Sequence, residues 1–253
     1  MMNCPACGFA YSSGQRECPR CGLIFARYRK SDRPAEDKML NLTPPVSRGD
    51  VSHGDNEDSL FNSIFLYVKP RADQVDLVMR ALCAMIFLFW GLMLMFTARD
   101  GEGGGFGFWH MVNLPFHEAG HLVFRPFGNL VMSMGGTLGQ LLMPLICMGV
   151  LLIKTRDTFG AGFCLWWLAV NFMDLAPYIG DARSLTLPLL GGNTGESSPY
   201  GFHDWEYILT ETGLLNYDQA LANMAFATGV ILMAVAYVWW FFVLRKYSVN
   251  LDS

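Results

Sequence analysis

His117-Glu118-Ala119-Gly120-His121 carries two imidazoles four residues apart, so on a helix both project from one face and can share a metal ion. Glu118 between them is the residue type that takes a proton from water at such an ion. The setting is apolar. From Phe106 to Phe124 the chain holds Phe106, Phe108, Trp109, Phe116 and Phe124, and Glu118 is the sole acid. An ionisable group at the centre of a membrane helix costs roughly 2.5 to 3.5 kcal/mol on insertion scales, so an uncompensated cluster of histidine and glutamate would be disfavoured there. A zinc ion would compensate it. His110, seven residues before His117, falls on the same face if the helix is unbroken, and is expected beside the ligands or at an interface. Pro115 either begins that helix or kinks it.

Hydrolytic zinc sites usually take three protein ligands and keep one position open. The segment Asn171-Phe172-Met173-Asp174-Leu175-Ala176-Pro177-Tyr178-Ile179-Gly180-Asp181-Ala182 ends another apolar run, and Asp174 and Asp181 are its only acids. Here the chain resembles the site-2 protease family of intramembrane metalloproteases, in which a His-Glu-x-x-His helix meets a later segment of the form Asn, Pro, then Leu-Asp-Gly. The resemblance covers about residues 106–190, with Gly180-Asp181-Ala182 in place of Leu-Asp-Gly. It implies that His117 and His121 are metal ligands, Glu118 the catalytic glutamate, Asn171 a residue near the substrate and Asp181 the third ligand. Asp174 ranks second for that role, because it lies at the same depth. The pair His203 and Glu206 ranks third, within residues 191–220, which otherwise read as a surface loop. Gln140 is a further polar contact or a helix-packing glutamine.

These residues need membrane helices to hold them. Of 253 residues, 52% are hydrophobic and 14% aromatic, and mean hydropathy is +0.27, more apolar than an ordinary soluble domain of this length. The apolar runs are Leu77 to Ala98, Leu138 to Ile153, Ala161 to Ala176 and Ala222 to Leu244. The first and last reach the roughly 20 residues a span requires, and the middle two are marginal. No cleavable signal peptide is expected, since the first apolar run comes after residue 76. Gly101 to Gly107 reads as a flexible turn, and Arg125-Pro126-Phe127-Gly128 as the end of the metal-binding helix. Ser133 to Gly139 reads as a re-entrant or strand-like element. Lys154, Arg156, Arg245 and Lys246 fall on the outer side if every run and the metal-binding helix cross once, so a further crossing or re-entrant segment is expected, with Ser184 to Leu190 a candidate.

Cysteine usage splits in two. Cys4-Pro5-Ala6-Cys7-Gly8 and Cys18-Pro19-Arg20-Cys21-Gly22 form matched knuckles ten residues apart, the spacing of a tetrahedral zinc held by Cys4, Cys7, Cys18 and Cys21. Four ligands close the shell, so this zinc would be structural, and residues 3–25 resemble a zinc ribbon. Reduced thiolates imply the cytosolic side. Cys83, Cys147 and Cys164 stand alone in apolar runs as small buried hydrophobes.

The expected architecture is mainly α: a zinc-ribbon β domain over residues 1–30, a flexible acidic linker over 31–60, and a polytopic helical membrane domain over 61–253. The linker carries seven acids against three bases together with Pro34, Pro44 and Pro45. The ribbon is locally basic despite the net charge of −4, which reads first as a solvated face and otherwise as a surface for anionic lipid or nucleic acid, and a cytosolic protein partner for the ribbon is a separate expectation. Nucleic acid is not expected, because no aromatic stacking pattern accompanies the charge. The implied function is hydrolysis of peptide bonds in membrane-associated or membrane-spanning proteins, on an unwound substrate, since a helix hides its carbonyls in backbone hydrogen bonds. The competing class is a membrane zinc sensor or scaffold that recruits a cytosolic partner through the ribbon.

Overall fold

The structure is a computed structural model that describes residues 2–4, 10–11, 17, 19, 25, 54–69, 73–97 and 104–251. The chain divides into two units, Met1–Val51 and Ser52–Ser253. In the first, strands β1 (Met2–Asn3) and β2 (Ala10–Tyr11) pair antiparallel with Met2 opposite Tyr11, and Cys4 is buried. Cys7, Cys18 and Cys21 lie outside the described residues, as does the expected linker from 31 to 53.

The second unit is helical: α1 (Gly54–Phe65), α2 (Gln74–Thr97), α3 (Gly104–Phe124), α4 (Asn129–Val150, continued by a π-helical turn to Thr155), α5 (Thr158–Gly180), α6 (Asp204–Glu211) and α7 (Asp218–Leu251). Residues 54–60, expected in the linker, thus belong to α1. Four helices are long and apolar enough to cross a membrane: Gln74–Phe96, Asn129–Thr155, Thr158–Gly180 and Leu215–Leu251. The two middle spans are longer than their apolar runs because polar and small residues at their ends and on one face are helical too. In particular Ser133 to Gly139, expected as a re-entrant or strand-like element, is continuous α4. Likewise Gly104 to Gly107 opens α3 instead of forming a turn, and α3 passes through Pro115, which does not begin it. Its end is where the sequence places it: a 3-10 turn over Arg125–Phe127 and then Gly128 at φ 96°, a conformation that favours glycine.

Helix α5 is the central one. Its apolar window is 61% enclosed by protein, against 11% for α2, so α2 turns most of its surface outward. Side chains from α2, α3, α5 and α7 form the core around Trp109, Trp166, Met173, Met233 and Trp240. Small residues let backbones approach. A Cβ at Gly229 on α7 would meet the Ala169 carbonyl and the Met173 side chain on α5, and a Cβ at Gly162 would meet the Trp240 indole.

One end of the unit gathers the start of α2, the corner between α4 and α5 and the end of α7. Arg80 pairs with Asp76 and, at 3.0 Å, with Asp157, and its guanidinium lies over the Phe159 and Tyr247 rings. Asp157 also caps α5 through the Gly160 amide, and Asn250 reaches the Lys69 carbonyl. Lys154 and Arg156 follow α4 to this end. The four long helices alternate in direction, so the ends of α4 and α7 return to the side where α2 starts. No crossing by Ser184–Leu190 is needed, and that segment contains no helix. The opposite end holds the start of α4, the end of α5 and α6, and there the motif residues meet.

Candidate metal centre

Helices α3 and α4 form the floor of the site by close backbone packing. A Cβ on Gly120 would run into the Gly135 carbonyl, and one on Gly139 into the Phe116 carbonyl, so glycine on both helices is what permits the contact. Gly136 has a different duty. A Cβ there would strike His117 Nε2 and His121 Nε2, and its absence keeps open the space where these nitrogens converge.

The third member of the cluster is Asp204, the first residue of α6. Its Oδ2 lies 3.0 Å from His117 Nε2 and 3.2 Å from His121 Nε2, and the three ligand atoms all fall within 4.8 Å of one another. The other imidazole nitrogens are engaged. His117 Nδ1 is 2.9 Å from Gln140 Oε1, and His121 Nδ1 is 2.8 Å from the Met132 carbonyl. A carbonyl only accepts, so each Nδ1 carries its proton, and in the neutral ring each Nε2 presents a lone pair toward the Asp204 carboxylate. Three acceptors then face one point. A proton can serve one nitrogen at a time, whereas a divalent cation serves all three, and two imidazoles with one carboxylate are a donor set suited to zinc. The residues fit the metal that the motif implies. The Tyr178 hydroxyl donates to Asp204 Oδ2 at 3.2 Å and accepts from the Asp204 amide at 3.0 Å, which fixes this carboxylate from the α5 side.

Asp181, expected as the third ligand, does not join the trio, and its carboxylate is engaged elsewhere. Its Oδ1 accepts from the Ser184 hydroxyl at 2.6 Å, the Thr186 amide at 2.9 Å and the Thr186 hydroxyl at 3.0 Å, and its Oδ2 from the Leu187 amide at 3.0 Å. Burial raises its carboxyl, yet these donors together hold it below its ordinary value. Fully buried His203 faces it too, with Nε2 3.4 Å from Asp181 Oδ2. His203 caps α6 by accepting from the Glu206 amide through Nδ1, and therefore carries its proton on Nε2. Asp181 thus ties down both arms of the loop that delivers Asp204.

Asp174 is not in the trio either. It receives His110 Nδ1 at 3.2 Å and Asn113 Nδ2 at 3.3 Å, and Asn113 accepts from the Trp167 indole at 2.9 Å. Asn171, expected beside the substrate, is wholly buried. It donates to the Trp167 carbonyl at 3.1 Å, and its Oδ1 has no hydrogen-bond partner among the described residues. Glu206 contributes only its amide to the cap. Residues 191–220 are therefore more than a surface loop. Their hidden signal was Asp204 itself, an acid in the first turn of a helix capped by the residue before it.

A cavity of about 890 Å³ opens over the cluster. It is lined by His117, Glu118, His121 and Asp204, by His110 and Asp174, and by apolar walls that include Leu187 to Leu190. Glu118 is exposed to this space while His117 is buried beneath it. No protein-family model, curated protein or solved structure matches the chain.

Proposed function

We propose that the membrane unit is a zinc-dependent intramembrane peptidase, with His117, His121 and Asp204 as ligands and Glu118 as general base. One observation carries this reading: two imidazoles whose Nδ1 protons are committed to Gln140 and Met132 turn their lone pairs on one carboxylate, beside an exposed glutamate in a large cavity. Zinc bound there would supply Lewis acidity toward a peptide carbonyl. Glu118 takes a proton from the attacking water and returns it to the departing amine nitrogen, so that peptide and water become a carboxylic acid and an amine. Gln140 and the Met132 carbonyl hold the imidazole tautomers throughout, and Tyr178 holds Asp204. Apolar walls at Leu187 to Leu190 suit an unwound hydrophobic segment of a membrane protein.

The sides of the membrane follow from charge. Lys69, Arg80, Lys154, Arg156, Arg245 and Lys246 belong to the end where α2 starts, which assigns that end to the cytosol and the metal centre to the opposite half. The N-terminal unit, by the spacing of Cys4, Cys7, Cys18 and Cys21, is assigned one structural zinc and a cytosolic protein partner.

The test is zinc content and hydrolysis measured on the same samples in liposomes, against a panel of membrane-spanning substrates. Wild type should hold two zinc ions per chain. Glu118→Gln should keep both while cleavage falls by about 10²- to 10⁴-fold, the usual cost of lost acid–base catalysis. Undiminished cleavage in that variant would remove Glu118 from the mechanism. A zinc-loaded wild type that cleaves nothing would turn the reading to a membrane zinc sensor or scaffold.

A further inference from the structure

The cavity contains a second polar cluster that the metal chemistry does not use. Asp174 lies within the candidate span Thr158–Gly180, and its side chain is only 8% exposed, whereas the side chain of His110 paired to it is 59% exposed. Ionisable groups at membrane depth are costly and mark functional positions more often than packing positions. A pair serving packing alone would bury both partners. Here only the carboxylate is buried. It is fixed from behind by Asn113, itself held by the Trp167 indole, while the imidazole stands at the cavity wall with Nδ1 committed to Asp174. Nε2 is the ring nitrogen left for a ligand.

We propose that His110, oriented by Asp174, forms a substrate subsite that accepts a neutral hydrogen-bonding side chain, serine, threonine, asparagine or glutamine, about three residues from the bond cleaved. The position rests on the peptidase reading. His110 and His117 are seven residues apart on one helix, about 10 Å at 1.5 Å per residue, and an extended substrate covers that distance in roughly three residues at 3.3 Å each. The chemical class follows from the imidazole. Hydroxyls and amides both donate and accept, so they pair with Nε2 whichever protonation state the carboxylate imposes. The neighbouring walls, Leu114 and Leu175 among them, offer an apolar residue no such partner. Polar residues of this kind also weaken a transmembrane helix in the substrate, which must unwind to expose its carbonyl.

The experiment is a positional scan. One membrane-spanning peptide carries Gln or Leu at each of the positions two to four residues from the cleaved bond, on both sides. kcat/KM is measured in liposomes for wild type, His110→Phe and Asp174→Asn. Wild type should favour Gln over Leu by about tenfold at one position, the worth of a single hydrogen bond, and His110→Phe should bring that ratio close to one with zinc still bound. Asp174→Asn should lower it by a smaller factor. Binding of the same peptides to zinc-loaded Glu118→Gln protein separates the two readings. A Gln preference in binding, with no cleavage by wild type, would keep the subsite and sink the peptidase. Equal binding and cleavage of Gln and Leu peptides at every position, or a preference that survives in zinc-loaded His110→Phe, would overturn the subsite.

Discussion

Asp181 and Asp204 stand at the two ends of one loop, each with a histidine against it, yet they meet opposite sets of partners. Around Asp181 the hydrogen-bond partners all donate, a serine and a threonine hydroxyl and two backbone amides, and the protonated Nε2 of His203 stands 3.4 Å from Oδ2. Toward Asp204 Oδ2 come one donor, the Tyr178 hydroxyl, and two imidazole nitrogens whose Nδ1 protons are on the far side of their rings. The first carboxylate is satisfied by protein, and the second is short of a positive charge. What makes an aspartate a ligand is the donor inventory around it, more than its depth or the motif it sits in.

The sharpest way to break that contrast is Asp204→Asn, which keeps the shape and removes the charge. Zinc affinity at the proposed centre should fall by about 100-fold or more, at or beyond the upper end of outer-shell losses, while any zinc held by the N-terminal cysteines should stay. Full retention of the membrane zinc would return the ligand role to another acid. Gly136→Ala should come close behind, because the new Cβ would occupy the space between the two Nε2 atoms. Gly149→Ala, where a Cβ meets nothing within 4 Å, serves as its control on the same helix and should leave zinc unchanged.

The sequence carried some of this and hid the rest for physical reasons. The two histidines and Glu118 are local on one helix, so spacing alone reveals them. Asp204, proposed as the third ligand, arrives from an eight-residue helix, and only tertiary structure brings that helix to α3. Asp181 is favoured in the sequence because it follows Asn171 and Pro177 in a family-like order at membrane depth, but order along a chain does not say whether hydroxyls and amides will surround a carboxylate. The length of α4 was underestimated for a related reason. Ser133, Gly135, Gly136, Gly139 and Gln140 interrupt its apolar run, and these same residues form the face that receives α3 and steadies His117. Function lies where the apolar pattern fails.

Gln140 probes the next smaller effect. With Gln140→Leu, His117 Nδ1 loses its acceptor and the ring can place its proton on Nε2, where it competes with the metal. Zinc affinity should drop by about 10- to 100-fold, read by competition with a chelator of known affinity. Gln140→Glu, which keeps an acceptor at the same reach, should restore much of the loss. If Gln140→Leu bound zinc as wild type does, the tautomer of His117 would be set by some other group.

Asp181→Asn is the mildest change and the one that separates a ligand from a clamp. The amide nitrogen must turn toward one set of donors, either the Ser184 and Thr186 groups or the Leu187 amide and His203, and replaces an acceptor there with a clash of hydrogens. The loop should loosen, with faster hydrogen exchange at the Thr186 and Leu187 amides. Zinc affinity should weaken only by about tenfold or less, since Asp204 keeps its own bonds to Tyr178. Acid titration offers a second readout of the same clamp. The Asp181 carboxyl is held below its ordinary value of 3.8, so its stabilising contribution is fully present above 3.8 and is lost only as pH falls through the lower, folded value. Protons compete with the metal for its imidazole ligands, so on acidification zinc should leave first while protection at Thr186 and Leu187 persists. Loss of zinc in Asp181→Asn as complete as in Asp204→Asn, with exchange at those two amides unchanged, would make Asp181 the ligand after all and reverse the contrast between the two aspartates.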